Sequence, residues 1–336
     1  MAFQITIQPS GHSFTAPTDD TILNAALEAG FTLPYGCRNG GCGACKGQVL
    51  EGTIDHGDSQ ALSDDEKAAG KALFCCARPT SDLVIECREV GLTGGIQTRI
   101  LPCRVESKVQ AAPDVLIMYL KLPSNERLQF MPGQYVEFLM KDGARRAFSL
   151  ANAPHDDQTL ELHLRLVPGG KFTEYVFNEM PEKAILRFEG PLGTFTLREE
   201  STKPILFIAG GTGFAPIKGI IEHAFHHRIK RDMVLYWGAL AKQDLYLPQL
   251  PEQWAVEHDH FKFIPVLSDP RPTDGWTGRT GLVHEAVLND GLDLSQYQVY
   301  CCGAPAMVEA AHRDFIAQGL PEDEFFSDAF TYAPKK

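Results

Sequence analysis

The chain of 336 residues is predicted to fold as three successive domains of different class. The first 95 residues contain a loop rich in cysteine and glycine, and short strands separated by turn signals fill residues 100–198. An apolar strand, a glycine turn and an amphipathic helix then open residues 203–336. In order, these patterns predict a small α+β domain around a metal site, an antiparallel β-barrel and a doubly wound α/β domain.

The metal site is predicted from four cysteines. Cys37, Cys42 and Cys45 are spaced C-x4-C-x2-C, and Cys75 follows within Leu73–Pro79. This spacing is typical of plant-type [2Fe–2S] sites, in which four thiolates hold two irons. Glycines in the loop permit positive φ angles and let backbone N–H groups approach the sulfurs: Gly36, Gly40, Gly41 and Gly43.

A zinc site is the main alternative for these cysteines. Cys42-x2-Cys45 together with Cys75 and its neighbour Cys76 would also supply four sulfurs. Zinc ribbons prefer two CxxC pairs, however, whereas the second pair here is adjacent, and a zinc site would leave Cys37 unexplained.

Composition limits the class of protein. Hydrophobic residues make up 44% and charged residues 22% of the chain, and the net charge is −12. No apolar run reaches the ~18 residues of a membrane span, and no signal peptide is visible, so we expect a cytoplasmic protein whose nine cysteines serve as thiols and metal ligands. The acidic balance disfavours binding to nucleic acid or anionic membranes, although it permits docking onto a basic partner.

The first domain combines strands with one main helix. We predict strands at Phe3–Ile7, His12–Thr15, Lys46–Leu50 and Leu83–Glu86. Thr21–Ala29 is predicted to be helical, and Ser63 with Glu66 forms a capping-box pattern for a second, short helix. Strands, a helix and a metal loop in about ninety residues fit a β-grasp ferredoxin fold, and Gly91–Gly95 is the first plausible linker.

The remaining two domains are distinguished by the type of strand. In the barrel, strands are predicted at Val115–Leu120, Tyr135–Leu139 and Leu160–Leu166. Beyond residue 203, strands alternate with helices at 282–289 and 305–318, which predicts a parallel sheet. These strands are Ile205–Ala209, Met233–Trp237, Phe261–Val266 and Gln298–Cys302.

Three motifs suggest nucleotide chemistry, and each has a simpler structural interpretation. Gly210–Pro216 could bring N–H groups and a helix N-terminus to a pyrophosphate; it does not match GxGxxG, and the alternative is a tight turn between strand and helix. Arg145–Ser149 could bind a phosphate and stack on a flat ring, or could be a strand end with a core Phe. Cys302 could contact a nicotinamide ring or pack as a small hydrophobe.

Histidines receive no catalytic role. His163 alternates with Arg165 on a predicted strand, which favours packing or a hydrogen bond over catalysis. His226 and His227 end a helix, where cations suit the helix dipole, and no function is assigned to them.

Taken in order, these motifs resemble the ferredoxin–NADP reductase superfamily with a plant-type ferredoxin fused at the N-terminus. The resemblance covers essentially the whole chain. It extends to reductase components of multicomponent oxygenases and, through Gly70–Asp82, to the CDP-6-deoxy-Δ3,4-glucoseen reductases. It implies an oxidoreductase that passes electrons from NAD(P)H through FAD and a [2Fe–2S] cluster to a protein acceptor, either a dehydrase or an oxygenase component.

The resemblance also implies roles for individual residues. Cys75, rather than Cys76, becomes the fourth iron ligand, because it stands two residues before Ala77 in the Cys-x-Ala-x-Pro pattern of plant-type ferredoxins. Arg146 would hold the FAD phosphate, and a second segment would grip the pyrophosphate. That segment comprises Gly170, Lys171, Phe172 and Thr173. Phe148 would stack on the isoalloxazine and Ser149 would lie near its N5 atom.

On the nicotinamide side, the resemblance implies a nucleotide loop formed by Gly211, Thr212 and Gly213. Cys302 and Gly303 would lie near the nicotinamide, and Phe330 would cover the flavin until the nicotinamide displaces it. Ser149, Cys302 and Phe330 are therefore the predicted catalytic residues. Where relatives often have Gly-x-Arg, this chain has Gly238–Leu240, which favours NADH over NADPH.

The three predicted cofactors form a logical series. Nicotinamide gives up two electrons together as hydride, whereas a [2Fe–2S] cluster accepts one at a time, and flavin can do both. The alternative from another class is a zinc-stapled adaptor with a vestigial nucleotide fold, which would be colourless.

Overall fold

In a computed structural model, the structure describes residues 2–90 and 96–331 of the chain. The chain divides into two compact units, Met1–Ile96 and Gln97–Lys336. The predicted linker Gly91–Gly95 lies outside the described residues.

The described part of the N-terminal unit is built on a five-stranded sheet. Its elements are β1 (Ala2–Gln8), β2 (Ser13–Pro17), α1 (Ile22–Glu28), β3 (Lys46–Glu51), β4 (Ile54–Asp55), α2 (Asp64–Ala68), β5 (Lys71–Leu73), β6 (Arg78–Pro79) and β7 (Leu83–Glu86). The sheet order is β2-β1-β7-β3-β5, with β1 parallel to β7, and β4 pairs with β6 separately. This mixed sheet with one packed helix confirms the predicted β-grasp fold.

Both predicted helix starts in this unit are confirmed by their caps. The Thr21 side chain accepts a hydrogen bond from the Asn24 backbone N–H at 3.2 Å, so α1 begins where the sequence places it. Ser63 and Glu66 form the reciprocal capping box of α2. Helix α1 is held by its apolar face, since Ile22 and Leu23 are fully buried in the core.

The first half of the C-terminal unit is a closed antiparallel barrel, as predicted. Its elements are β8 (Arg99–Ala112), β9 (Val115–Lys121), β10 (Tyr135–Leu139), β11 (Arg145–Ser149), β12 (Leu160–Arg165), α3 (Lys171–Asn178) and β13 (Ile185–Leu192). The strand order is β11-β10-β13-β8-β9-β12. A bridge between Leu150 and Leu162 joins the two outer strands and closes the sheet.

The second half of this unit is a parallel α/β sheet. Its elements are β14 (Ile205–Gly210), α4 (Phe214–His226), β15 (Met233–Ala239), α5 (Gln249–Glu257), β16 (Phe261–Leu267), β17 (Arg279–Thr280), α6 (Val283–Asn289), β18 (Gln298–Gly303), α7 (Pro305–Ala317) and β19 (Phe325–Ala329). The order β17-β16-β15-β14-β18-β19 reverses direction at β14. The carboxyl ends of β14 and β18 therefore meet at a switch point, where ligands bind in sheets of this kind.

A polar network joins the barrel to α4. The Lys218 ammonium, on α4, lies 3.2 Å from Glu161 on β12 and 3.0 Å from Glu222. Glu161 also contacts His163 Nε2 at 2.7 Å, and His163 Nδ1 lies 2.8 Å from the Tyr246 hydroxyl. His163 is thus a buried, hydrogen-bonded residue, as predicted. None of the described helices combines the length and the apolar character that crossing a membrane requires.

Candidate metal centre and nucleotide site

The loop between α1 and β3 is shaped by glycines with positive φ. Gly40 has φ 77° and Gly43 has φ 76°. A Cβ atom at Gly40 would lie 2.3 Å from the Asp58 carbonyl oxygen and 2.8 Å from Cys76 Sγ. A side chain at position 40 would therefore push the loop away from the segment that carries Cys75 and Cys76.

The four predicted ligand sulfurs form two close pairs. The Cys37 backbone N–H donates to Cys42 Sγ at 3.3 Å. Contact with the Cys42 thiol lowers the pKa of Cys37 to about 6, despite burial, and N–H groups of Asn39, Gly41 and Cys42 add to this. In the same way, contact with Cys45 lowers the pKa of Cys75 to about 3.

This pairing distinguishes a two-iron cluster from zinc. Tetrahedral zinc with Zn–S bonds of about 2.3 Å needs all four sulfurs within ~4 Å of one another. Among residues 2–90 and 96–331, the one group of three potential ligand atoms within 4.8 Å is Glu199, His223 and His227, which includes no cysteine. Two sulfur pairs with N–H groups directed at sulfur suit two irons instead, so the residues fit a [2Fe–2S] cluster.

Cys76 lies beside this site. Its Sγ atom is 3.6 Å from Cys75 Sγ, and its side chain is half-buried. Contact with the neighbouring Cys75 thiol, and then burial, raises the pKa of Cys76. Cys75, which pairs with Cys45, is therefore the better placed of the two adjacent thiols to complete the set.

Strand β11 presents the predicted flavin residues beside α3. Arg146 and Phe148 share one face of the strand and are half-exposed, whereas Ser149 is buried. The Phe148 ring centroid is 5.4 Å from that of Phe172, in the first turn of α3. The Arg146 guanidinium donates to the Arg145 carbonyl at 2.8 Å. A half-exposed aromatic ring next to this cation can accept a flat ring that carries phosphate, so these residues fit FAD.

The start of α3 is held without a capping side chain. Gly170 is its N-cap, and the Thr173 hydroxyl donates to the Gly170 carbonyl at 3.2 Å and accepts from the Val167 N–H at 3.1 Å. Lys171 is exposed, and its ammonium lies 3.8 Å from an Asp142 carboxylate oxygen. The Ala144 N–H and then the charges of Lys171 and Arg146 lower the pKa of Asp142, which shows that both cations lie on this side of the barrel.

The glycine turn after β14 packs directly on the end of β18. A Cβ atom at Gly213 would lie 2.0 Å from the Cys302 carbonyl oxygen. Gly211 has φ 52°, and a Cβ there would lie 2.9 Å from the Arg165 guanidinium. Glycine is therefore required at positions 211 and 213, where the chain passes close to its neighbours, and the N-terminus of α4 that follows is of the kind that binds a pyrophosphate.

Strand β19 brings the three predicted catalytic residues together. Cys302 on β18 is paired with Asp328 on β19, and the Phe330 N–H donates to the Gly303 carbonyl at 2.8 Å. The Ser149 hydroxyl, from the barrel, donates to Asp328 Oδ2 at 3.4 Å. Burial, then the charge of Asp328, raises the pKa of Cys302, which keeps this thiol in its neutral form.

Sequence reasoning missed two residues at this site. Asp328 links Ser149 to the end of β18, and the Arg165 guanidinium borders Gly211 and lies 3.1 Å from Asp114. The only signals in the sequence are that Asp328 stands two residues before Phe330 and that Arg165 alternates with His163. Neither pattern indicates which other segment these side chains meet.

Comparison with known proteins matches this geometry domain by domain. Residues 5–80 match a 2Fe-2S iron-sulfur cluster binding domain. Residues 102–197 match an oxidoreductase FAD-binding domain, and residues 207–313 an oxidoreductase NAD-binding domain. The chain is thus an oxidoreductase with binding domains for a [2Fe–2S] cluster, FAD and NAD(P)H, as predicted.

Relatives extend over the whole chain. The CDP-6-deoxy-L-threo-D-glycero-4-hexulose-3-dehydrase reductase of Yersinia pseudotuberculosis is 40% identical over 98% of this chain and 99% of its own. The terephthalate 1,2-dioxygenase reductase component 2 of Comamonas sp. is 34% identical over 99% of both chains. The crystal structure of an Amycolatopsis cytochrome P450 reductase aligns with a TM-score of 0.79, at 35% identity over 98% of this chain and 99% of that one.

The chain therefore belongs to the family of flavo-iron–sulfur reductases that transfer electrons from NAD(P)H through FAD to a [2Fe–2S] cluster.

Proposed function

We propose that this reductase supplies single electrons to a dehydrase that acts on a CDP-linked deoxyhexulose. The observation that carries this proposal is the 40% identity to the Yersinia dehydrase reductase, which extends over nearly the full length of both chains. An oxygenase component is the second candidate acceptor, supported by the 34% identity to the terephthalate dioxygenase reductase component. We propose the domain limits 1–95, 100–198 and 203–336.

For the metal centre, we propose Cys37, Cys42, Cys45 and Cys75 as the iron ligands. The pairing of Cys37 with Cys42 and of Cys45 with Cys75 supports two thiolates on each iron. Cys37 and Cys42 are partly exposed, so electrons leave from the surface that this loop presents.

For the flavin, we propose that Arg146 binds the phosphate, that Phe148 packs on the ring system and that Ser149 donates a hydrogen bond to it. When bound, FAD accepts hydride and releases electrons singly. The pyrophosphate is held by the first turn of α3, where the N–H groups following Gly170 are free of a capping side chain. The residues of this turn are Gly170, Lys171, Phe172 and Thr173.

For the nicotinamide nucleotide, the turn Gly211–Gly213 binds the pyrophosphate, and Cys302 and Gly303 border the nicotinamide. Phe330 is anchored to Gly303 by its backbone N–H and is only partly buried, which supports its role as a displaceable cover. In this structure the Ser149 hydroxyl donates to Asp328 Oδ2 at 3.4 Å. A hydroxyl has one proton, so Ser149 exchanges Asp328 for the flavin as its acceptor when FAD is bound. We propose NADH as the donor, because Leu240, the residue after β15, is 59% exposed where a 2′-phosphate would need a cation.

One experiment separates the two acceptors. The holoenzyme is mixed anaerobically with NADH, a CDP-6-deoxyhexulose dehydrase and its substrate, and in parallel, in air, with a dioxygenase component and its aromatic substrate. We expect NADH oxidation to be at least ~10-fold faster with the dehydrase than without it, with little coupled oxygen uptake in the second mixture. If only the oxygenase component accelerates NADH oxidation, the proposed acceptor is wrong. The choice of NADH as donor is tested separately, and a kcat/KM for NADPH above that for NADH would overturn it.

A further inference from the structure

A cluster of imidazoles lies at the C-terminal end of α4, away from the residues assigned to the cofactors. His223 and His227 are one helical turn apart and face the same side, and Glu199 comes from the segment between β13 and β14. The sequence had offered only the helix dipole as a reason for the histidines at this helix end.

These three side chains already converge. His223 Nε2 lies 2.9 Å from Glu199 Oε1, and the His223 and His227 rings stack with centroids 4.1 Å apart. One potential ligand atom from each residue lies within 4.8 Å of the other two. His223 is 7% exposed and its Nδ1 atom has no hydrogen-bond partner, so the contact with Glu199 is what places this ring.

We propose that Glu199, His223 and His227 bind a divalent transition-metal ion of the Zn²⁺ class, with an open position for water. Two imidazoles and one carboxylate suit Zn²⁺ and other divalent first-row transition metals, whereas Mg²⁺ and Ca²⁺ prefer oxygen ligands alone. Bond lengths of about 2.0–2.2 Å require the three ligand atoms to close to roughly 3.5 Å. Glu199 and His227 are exposed and can rotate to reach that separation, while the buried His223 stays fixed.

Such an ion would tie two parts of the C-terminal unit together. Glu199 belongs to the segment that leads from the barrel into the α/β sheet, and α4 begins at the glycine turn of the nucleotide site. The segment is already attached to the sheet, since the Arg198 N–H donates to the Tyr300 hydroxyl at 2.9 Å and the Arg231 guanidinium to the Arg198 carbonyl at 3.0 Å. Binding to this folded arrangement alone stabilises the unit by mass action.

The control is provided by the adjacent His226. It is exposed, like His227, but its ring stacks on His155 with centroids 3.7 Å apart and is not part of the converging group. Glu200, next to Glu199 and equally exposed, serves the same purpose for the carboxylate. His227→Ala and His226→Ala remove the same side chain, as do Glu199→Gln and Glu200→Gln. A difference in metal binding within either pair therefore reflects the position of the side chain and not the change in composition.

The test is calorimetric titration of Zn²⁺ into tag-free holoenzyme that has been treated with a mild chelator, with the visible spectrum recorded to show that the cluster stays intact. We expect one Zn²⁺ per chain, no binding of Mg²⁺, and a rise in the unfolding temperature. His227→Ala and Glu199→Gln should weaken Zn²⁺ binding at least ~10-fold, since even loss of a hydrogen bond to a metal ligand costs this much. His226→Ala and Glu200→Gln should bind as the native chain does. Equal affinity in His227→Ala and His226→Ala, or no binding at micromolar Zn²⁺, would overturn the proposal.

Discussion

The two cofactor-binding regions of this chain are constructed in opposite ways. The iron–sulfur site takes three of its proposed ligands from one loop of nine residues and the fourth from Cys75. The flavin–nucleotide site is assembled from β11, α3, the turn after β14, the end of β18 and β19. A local site is visible in residue spacing, whereas an assembled site depends on how distant strands are aligned.

This difference also governs how each site should respond to substitution. Each proposed ligand thiolate would hold one iron, so the loss of one is expected to remove the whole cluster. In the assembled site, binding is shared among several backbone and side-chain groups, and single changes should have graded effects. The following experiments test that distinction, beginning with the largest expected effect.

Cys42→Ser should abolish electron exit while sparing hydride transfer. We expect cytochrome c reduction to fall by more than ~100-fold, because the cluster cannot assemble on three thiolates, whereas reduction of the flavin by NADH stays within about twofold. Stopped-flow absorbance measures both. Cys76→Ser is the matched control and should retain the cluster; if it behaves as Cys42→Ser does, the assignment of Cys75 over Cys76 is wrong.

Gly213→Ala should interrupt the first step instead. Its Cβ would lie 2.0 Å from the Cys302 carbonyl oxygen, so backbone must move at the point where β14 and β18 meet. Because Gly213 has a φ of −57°, the effect is steric and not torsional. We expect flavin reduction by NADH to slow by roughly 100-fold, as a 1 Å misplacement can cause. Reduction of the flavin by dithionite should be unchanged. If flavin reduction slows equally with NADH and with dithionite, this explanation is wrong.

Ser149→Ala should have a smaller effect. Removing the hydroxyl that is proposed to donate to the reacting ring is expected to slow hydride transfer by about 10- to 100-fold, with little change in FAD affinity. Asp328→Asn should give a few-fold effect, since Asp328 acts through Ser149. The rate of flavin reduction at saturating NADH is the measurement. If Asp328→Asn changes the rate of flavin reduction by the same factor in a chain that already carries Ser149→Ala, Asp328 acts independently of Ser149.

Glu161→Gln should weaken the network between the barrel and α4 without touching either cofactor site. Burial alone raises the pKa of Glu161, but the hydrogen bond to His163 and the charge of Lys218 lower it to about 2. Because the folded-state pKa lies below the ordinary 4.5, this stabilisation is complete above pH 4.5 and is lost as pH falls toward 2. The depression corresponds to roughly 3 kcal/mol at neutral pH.

Differential scanning calorimetry at pH 7 measures this effect. We expect the unfolding temperature of Glu161→Gln to be lower than that of the native chain, with a gap that narrows as pH falls below 4.5. Glu222→Gln is the control, because burial raises the pKa of Glu222 and its ionised form contributes less. If Glu222→Gln lowers the unfolding temperature more than Glu161→Gln does, Glu161 is not the main partner of Lys218 in this network.

The same contrast explains what the sequence could reveal. Alternation, caps and turn residues predicted the three domain folds, and cysteine spacing predicted the cluster without help from tertiary structure. Asp328 and Arg165 were not recognised, since their roles follow from the pairing of β18 with β19 and from barrel closure, which no local pattern records. The proposed zinc site was not recognised for the same reason, because 24 positions of chain separate Glu199 from His223, the nearer of its two imidazoles.

The most direct test of the account is the metal and sulfide content of the anaerobically purified chain, together with its visible spectrum before and after NADH. The account predicts about two irons and two acid-labile sulfides per chain, with a flavin and cluster spectrum that bleaches on addition of NADH. A colourless chain that lacks iron and sulfide, with zinc bound by the cysteines, would contradict it.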